Sequence, residues 1–432
     1  MKRCLRLATL LLILCGNRAN AQTNVIVRTT GGVNLLNTLC HFLDCSVVRG
    51  LNDPANQLFL VSPPRLISPS LFVSILRLQL GVVDAELDSL IQIVEPLSLG
   101  VLPVPGGLLD SRPVQFAGDS VWNGYASQPA AAKVRAPQAR AAFDVDGAGI
   151  VGIIDTGVDG NHPALSDVVI PGYDFTSNQA STASETADVS QSTAAIVDGS
   201  PTQVNTTTVA VLDQSTAAIV DQPGYAAFGH GTMVAGIVHL VAPRARIMPL
   251  KAFKANGQGY TSDIIRAVYW AVSRKARVIN MSFSIPDSSS ELKQALDYAV
   301  SRRATCVASA GNDGAQVLVY PAAYTNTMGV ASTDMLDRRS SFSNYGNTLV
   351  WVAAPGEGIV STYPFSTYGA GWGTSFSAPF VSGTAALLVD ILPGVNYQTS
   401  AIAVGHAQPV GAGMGHGRLD AFQAVQWLNA VK

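Results

Sequence analysis

Ile150-Val151-Gly152-Ile153-Ile154-Asp155-Thr156-Gly157 is the stretch on which the fold turns. Its first five residues carry no polar side chain. A strand with one wet face alternates apolar and polar residues, so an unbroken apolar run marks a strand covered on both sides. Ile247–Leu250, Val278–Ile279, Thr305–Ala308 and Val350–Ala353 read the same way. Helical patterns fall between them, over Asp263–Ser273 and Glu291–Ser301. Strand alternating with helix predicts an α/β domain: a parallel sheet with helices on both faces, beginning near Val121. Such sheets place their working groups at the carboxyl ends of strands, which is where Asp155 stands.

The 432 residues are 48% hydrophobic and only 13% charged, against about 25% charged in an average soluble domain. Disorder over most of the chain is excluded by that balance. Lys and Arg number 27, Asp and Glu 29. Lys2, Arg3, Arg6 and Arg18 all lie in residues 1–21, which hold no acid, so the remainder has 23 bases against 29 acids. A surface that tracks nucleic-acid phosphates needs the opposite excess, so no nucleic-acid partner is expected. Residues 1–21 combine those bases with the apolar run Leu7–Cys15 and the small-x-small site Ala19-Asn20-Ala21. This is the pattern of a secretory signal, with an apolar run too short for the roughly 20 residues of a bilayer span. No later stretch reads as a membrane span. The expected location is outside the cytoplasm, extracellular or periplasmic.

Residues 24–95 read as strand, helix, strand, helix, strand. Val25–Val27 opens the set, and Leu35, Leu36, Leu39, Phe42 and Leu43 recur at helical spacing. Leu58–Val61 comes next, then a helix over Ser70–Leu80 or Asp84–Leu90, and Ile91–Val94 closes it. This predicts a small α/β open-faced sandwich. Residues 96–120, rich in Pro and Gly, read as a linker. Residues 176–224 are rich in Ser, Thr, Ala and Gln, carry five acids (Glu185, Asp188, Asp198, Asp213, Asp221) and no base, and contain QSTAAIVD twice. They read as an inserted arm, β-rich at Val209–Leu212 and Ala217–Val220 or else a solvated loop. Cys40 and Cys45 are close enough to pair in an oxidising compartment, whereas Cys306 reads as a buried small hydrophobe.

Two further blocks carry chemistry. Gly229-His230-Gly231-Thr232 starts an apolar helix that Pro243 ends, with one imidazole between two glycines. His239, farther along, reads as packed. Gly373-Thr374-Ser375-Phe376-Ser377-Ala378-Pro379 leads into a second apolar helix, which would put Ser375 at its positive end, with Pro379 in the first turn. Serine is a poor nucleophile without an adjacent base, and the base needs a third group to hold its tautomer. Asp155, His230 and Ser375 supply those parts. Asp-Thr-Gly also suits a turn or an aspartic peptidase, but the latter needs a second such triplet, which this chain lacks. No G-x-S-x-G elbow of a lipase or esterase surrounds any serine.

The order Asp155, His230, Ser375 and the blocks around them resemble the subtilisin-like serine peptidases, the subtilases. The resemblance runs from about Trp122 to the C-terminus. It includes Gln128-Pro129-Ala130, Asp155–Asp159 with His162-Pro163, and Gly415–Ala421. It implies Ser375 as nucleophile, His230 as general base and Asp155 as the group orienting the imidazole. Ser309-Ala310-Gly311-Asn312 matches the block with the oxyanion-hole asparagine, Asn312. Asn280–Ser284 matches the lining of the pocket for the residue before the cut, so Ser282, Phe283 and Ser284 are implied in substrate binding. The family usually has Gly at Ser284. Gly257 and Gly259 match the edge that pairs with extended substrate, and Val319 is expected near the pocket floor. The region before residue 96 is similar to the family's propeptide, an intramolecular chaperone and inhibitor.

The resemblance implies a secreted serine endopeptidase acting on proteins or peptides, made as a precursor that cuts itself within residues 96–121. Its activity is expected to rise through the pH region where histidine titrates. No cofactor is implied with certainty. Many relatives hold calcium through an acid in the His-Pro-x-Leu stretch, but here that position is Ala164. Asp167 and the acids of the arm either compensate or are simply solvated. Two other classes fit the same fold: a binding protein without activity, and a Ser-His-Asp esterase.

Overall fold

The structure, a computed structural model, describes residues 23–93, 105–180, 183–188, 202–203, 209–211 and 225–432. The signal-like residues 1–21 and the Ala217–Val220 segment lie outside them. Two compact units emerge: Met1–Gly50 with Gln57–Asp88, and Leu51–Asn56 with Ser89–Lys432.

The first unit orders β1 (Val25–Thr29), α1 (Gly32–Leu43), β2 (Ser46–Gly50), β3 (Leu58–Ser62), α2 (Pro69–Arg77) and β4 (Val82–Leu87). Its sheet runs β2-β3-β1-β4 and is antiparallel. Val25 and Val27 meet Phe59 and Val61 in one core with Leu36 of α1 and Phe72 and Leu76 of α2. α2 starts where Ser68 Oγ accepts the Leu71 N–H at 3.3 Å, with Pro69 preset for the first turn. Three expectations change here. Ser46–Gly50 is a strand, Asp84 lies in β4 rather than in a helix, and Ile91 belongs to a strand of the second unit. Cys40 and Cys45 are joined by a disulfide at the end of α1.

The second unit opens with β5 (Leu90–Gln92). The part of the expected linker that is described is folded. A 3₁₀ turn spans Gly106–Leu109, and β6 (Pro113–Phe116) pairs with β7 (Asp119–Trp122). Ala117 and Gly118 both take positive φ, the two-residue turn that matches strand twist. Short helices α3 (Asn123–Ala126), α4 (Pro129–Lys133) and α5 (Ala136–Phe143) lead to β8 (Ile150–Asp155). Then come β9 (Tyr173–Asp174), β10 (Thr202–Gln203), β11 (Val209–Val211), α6 (His230–Val241), β12 (Arg246–Lys251), β13 (Gln258–Tyr260) and α7 (Thr261–Ser273). The chain continues through β14 (Ala276–Met281), α8 (Ser290–Ser301), β15 (Thr305–Ser309), β16 (Met328–Thr333) and β17 (Val352–Pro355). It ends with β18 (Ile359–Tyr363), β19 (Thr367–Gly371), α9 (Thr374–Ile391), α10 (Tyr397–Val404) and α11 (Ala421–Val431).

The main sheet has seven strands in the order β17-β16-β15-β14-β8-β12-β9, all parallel. Alternation along β8 sorts its two faces. Val151 and Ile153 enter one core with residues of α6 and α9, while a side chain at Gly152 would face Ala271 of α7. Helices therefore cover both faces, as the apolar strands predict. α9 is long and apolar enough to cross a membrane, contrary to expectation, yet 89% of it is buried as the central core helix. β11 pairs with β19 in a second, antiparallel sheet, so the strand expected at Val209–Leu212 is present.

His239 on α6 is buried, edge-on to Phe116 of the β6–β7 hairpin at 5.5 Å, and neither ring nitrogen has a hydrogen-bond partner among the described residues. Burial first, then the positive charges of Arg140 and His162, push its pKa down to about 4. The unfolded chain binds that proton near pH 6.5, so stability is complete above that pH and is lost as pH falls toward 4. The loss should reach about 2 kcal/mol by pH 5. Urea unfolding at pH 7 and pH 5 of inhibitor-blocked wild type and His239→Leu reads it as the extra loss of the wild type over the variant, because every other titrating group is common to both.

Candidate active site

Asp155 is the last residue of β8, the strand flanked by β12 and β14. Its Oδ1 lies 2.7 Å from Nδ1 of His230, the first residue of α6, and both side chains are buried. The carboxylate is held in turn by the Thr156 N–H at 2.7 Å. Close approach explains the glycines around His230. Gly229 takes φ +86° against the Tyr363 ring, and a methyl group on Gly231 would sit 2.0 Å from the Gly157 carbonyl oxygen. Any larger residue at 231 pushes the helix away from the Asp155 turn.

Ser375 is the second residue of α9, in the turn whose N–H groups the helix itself does not use. The His230 ring packs on Phe376, the next residue, with centroids 5.5 Å apart. The three blocks thus meet at the carboxyl end of the sheet. Ser375 Oγ donates to the Ser282 carbonyl at 3.2 Å, and Ser282 Oγ donates back to the Ser375 carbonyl at 2.8 Å. The second bond has a cause in the sequence. Pro379 lies inside α9, not in its first turn as expected, and lacks the N–H that would bond the carbonyl four residues back. That carbonyl is Ser375's, and the Ser282 hydroxyl supplies the missing donor. Asn280 Nδ2 bonds Ser282 Oγ at 2.9 Å, and Ser382 Oγ bonds Asn280 Oδ1 at 2.7 Å. Ser282 thus braces Ser375, a role that motif reading missed because it depends on Pro379.

Asn312 follows β15. Its Oδ1 accepts from both the N–H and the hydroxyl of Thr374, each at 2.9 Å. These bonds fix the amide so that the NH₂ end is the one turned away from Thr374. Ser284 and Val319 share one wall: Ile285 and Tyr320 exchange backbone bonds at 2.7 and 2.8 Å. A methyl group on Gly311 would lie 3.3 Å from Val319 Cγ2 and 3.4 Å from Ser284 Oγ. Phe283 is buried, and its ring packs on Phe253 at 5.0 Å.

Gly257 and Gly259 belong to the edge around β13, and that edge is occupied. β5 pairs with it antiparallel, with Gln92 opposite Gln258, Ile91 opposite Gly259 and Leu90 opposite Tyr260. The Ile93 N–H continues the ladder to the Gly257 carbonyl at 2.8 Å, and Gln92 Nε2 bonds the Asn256 carbonyl at 2.6 Å.

Two of the acids assigned to the arm are bonded within the fold. Glu185 is fully buried in a 3₁₀ turn, Glu185–Asp188, and accepts from Thr156 Oγ1 at 2.7 Å and the Gly229 N–H at 2.9 Å. Asp188 accepts from Lys251 Nζ and the Ala255 N–H, each at 2.7 Å. Both Glu185 oxygens and Asp188 Oδ2 already serve protein donors, and Ala164 offers no side-chain oxygen. Among the described residues no three His, Cys, Asp or Glu side chains converge as metal ligands. Cys306 is buried, which pushes its thiol up to about 12.

The family model described as "Subtilase family" matches residues 147–408. "Thermitase" from Thermoactinomyces vulgaris is 35% identical over 309 residues, 68% of this chain and 94% of that protein. "Thermophilic serine proteinase" from Bacillus sp. (strain AK1) is 36% identical over 248 residues, 55% of this chain and about half (51%) of that protein. "Subtilisin BL" from Lederbergia lenta is 42% identical over 169 residues, 37% of this chain and 62% of that protein.

Proposed function

The chain belongs to the subtilase family and is a serine-type endopeptidase, and on that premise we propose that it is exported as a precursor and matures by cutting its own chain. In this reading Ser375 Oγ attacks the peptide carbonyl. His230 takes the hydroxyl proton at Nε2 and returns it to the leaving amine. It then takes a proton from the water that cleaves the Ser375 ester and returns it to Ser375 Oγ. Asp155 holds the Nδ1 proton and steadies the imidazolium. The Asn312 side chain and the Ser375 N–H donate to the oxyanion. The observation that carries the reading is the buried 2.7 Å Asp155–His230 bond beside the N-terminus of α9.

Self-processing is supported by β5 on the β13 edge, where an extended substrate would add a strand. The strand leads toward His230. A methyl group on Gly257 would lie 3.5 Å from Ile93 Cβ and 3.3 Å from Ala227 Cβ, and the Ala227 carbonyl accepts the His230 N–H at 3.2 Å. Pro105 onward is folded into the peptidase unit. We therefore narrow the cut from residues 96–121 to the interval between Ile93 and Pro105, with residues 22 to the cut acting as chaperone and inhibitor. Export is supported by the signal-like residues 1–21 and by the Cys40–Cys45 disulfide. Val319 and Ser284 beside Gly311 favour a small or medium apolar residue before the scissile bond.

N-terminal sequencing of the secreted protein, with a peptide-library cleavage profile, tests both points. The expected start lies between residues 94 and 105, and the profile is led by small and medium apolar residues. A start inside the β6–β7 hairpin, or a profile led by Arg, Lys or large aromatics, would contradict the reading.

A further inference from the structure

We propose that Glu185 is a positioning residue of the catalytic centre, whose ionised carboxylate fastens the Asp155 turn to the first turn of the His230 helix. The proposal rests on the triad reading above. Glu185 Oε2 accepts from Thr156 Oγ1 at 2.7 Å and the Gly229 N–H at 2.9 Å; Oε1 accepts from the Thr232 N–H at 3.2 Å and from Thr232 Oγ1. Thr156 adjoins Asp155 in the chain, while Gly229 and Thr232 flank His230. One carboxylate therefore ties down both partners of the Asp155–His230 bond.

Every one of these contacts offers a hydrogen, which suits an ionised carboxylate, an acceptor at all its sites. A neutral Glu185 must donate one hydrogen itself. The two backbone N–H groups cannot receive it, so it goes to a threonine hydroxyl. Thr232 Oγ1 already takes the Asp159 N–H at 2.8 Å, and Thr156 Oγ1 takes the Gly231 N–H at 3.0 Å. A Thr156 hydroxyl displaced from Glu185 turns to Asp155 Oδ1, 3.3 Å away. That oxygen is the one bonded to His230 Nδ1. Protonating Glu185 thus adds a competing donor at Asp155, removes a nearby negative charge and makes His230 a weaker base.

The surroundings are charged on several sides. Asp155 lies on β8 and His230 on α6. Lys251 of β12 binds the Thr156 and Phe253 carbonyls at 2.7 and 2.8 Å and Asp188 of the same 3₁₀ turn at 2.7 Å. Tyr363 of β18 donates to the Phe228 carbonyl at 2.7 Å, and the Asp159 carboxylate accepts from Asn161 and Phe365 N–H groups. Burial dominates at Glu185 and raises its pKa to about 7; the Thr232 and Thr156 bonds and the Lys251 charge oppose the rise, and Asp155 adds to it. Glu185 then loses its proton near neutral pH, and a general-base imidazole must also be neutral to act, so two deprotonations precede activity.

The test is the rate of fluorophosphonate labelling of the mature enzyme against pH, normalised to labelled sites so that misfolded protein does not count. The wild type should show an acid limb whose slope approaches two. Glu185→Gln should label about 10- to 100-fold more slowly at pH 8, with peptide KM unchanged and an acid limb of slope one moved to lower pH. Glu185→Asp should recover part of the rate. If Glu185→Gln yields no mature enzyme, Thr156→Ser should keep the two-proton limb and Thr156→Val should lose it. Equal rates and equal limbs in wild type and Glu185→Gln, or a two-proton limb kept by Thr156→Val, would overturn the proposal while leaving the triad intact. A wild type that does not label at all would instead overturn the triad reading, and this inference with it.

Discussion

Ser375→Ala is expected to lower turnover by on the order of 10⁶-fold and to leave the chain at precursor length. The hydroxyl is the only atom removed, and it is the proposed site of bond formation. Its hydrogen bond among the described residues, 3.2 Å to the Ser282 carbonyl, contributes about 1 kcal/mol at most. The Asp155–His230 bond, the α9 helix and its Pro379 brace remain in place. The variant should therefore fold, keep β5 on the β13 edge, and show a mass that includes residues before Ile93. Residual hydrolysis above the uncatalysed rate would come from the oxyanion donors alone. Mass spectrometry of the secreted variant and a casein assay read both effects. A Ser375→Ala protein that matures unaided in a protease-free host would mean that another residue, or another enzyme, makes the cut.

Asn312→Ala comes next in size, with an expected loss of about 10²–10³ in kcat and little change in KM. The split reflects when the bond is made. In the proposed mechanism the amide N–H meets charge that develops only as the carbonyl becomes tetrahedral, so the ground state does not use it. Alanine also leaves the Thr374 N–H and hydroxyl without their 2.9 Å acceptor. Asn312→Asp separates the two effects, because it keeps an acceptor for Thr374 and lacks the donor. Both variants should lose kcat to a comparable degree, and only alanine should disturb the start of α9. Active-site titration followed by steady-state kinetics on a peptide anilide measures this. A rise in KM with unchanged kcat would assign Asn312 to ground-state binding instead.

The sheet and the Asp155–His230 pair were legible because each depends on a short contiguous pattern. An unbroken apolar run ending in Asp155 needs no knowledge of its partners to read as a buried strand. The Gly-His-Gly block likewise announces close packing on both sides of one imidazole. Features that depend on distant partners stayed hidden. β5 finds its place on β13 only through residues more than 160 positions away, Gln92 Nε2 bonding Asn256 being one such contact. Glu185 sits in a run of Ser, Thr and Ala with no periodicity, and its burial comes from α6 and the Asp155 turn closing over it. Two other signals were available. Ala117-Gly118 between Val114-Phe116 and Val121 has the form of a hairpin turn. Pro379 lies too deep in the apolar stretch for a first turn, which points to a carbonyl in need of an outside donor.

Asp155, His230 and Ser375 are proposed to act as one unit at the carboxyl end of the sheet. Fluorophosphonate labelling of the folded, processed protein, with the adduct located by peptide mapping, bears on that unit without an intermediary. A single adduct on Ser375 is expected, abolished by competing peptide inhibitor and reduced to trace in His230→Ala. An adduct on any other serine, or none in protein that is folded and fully processed, would refute the triad.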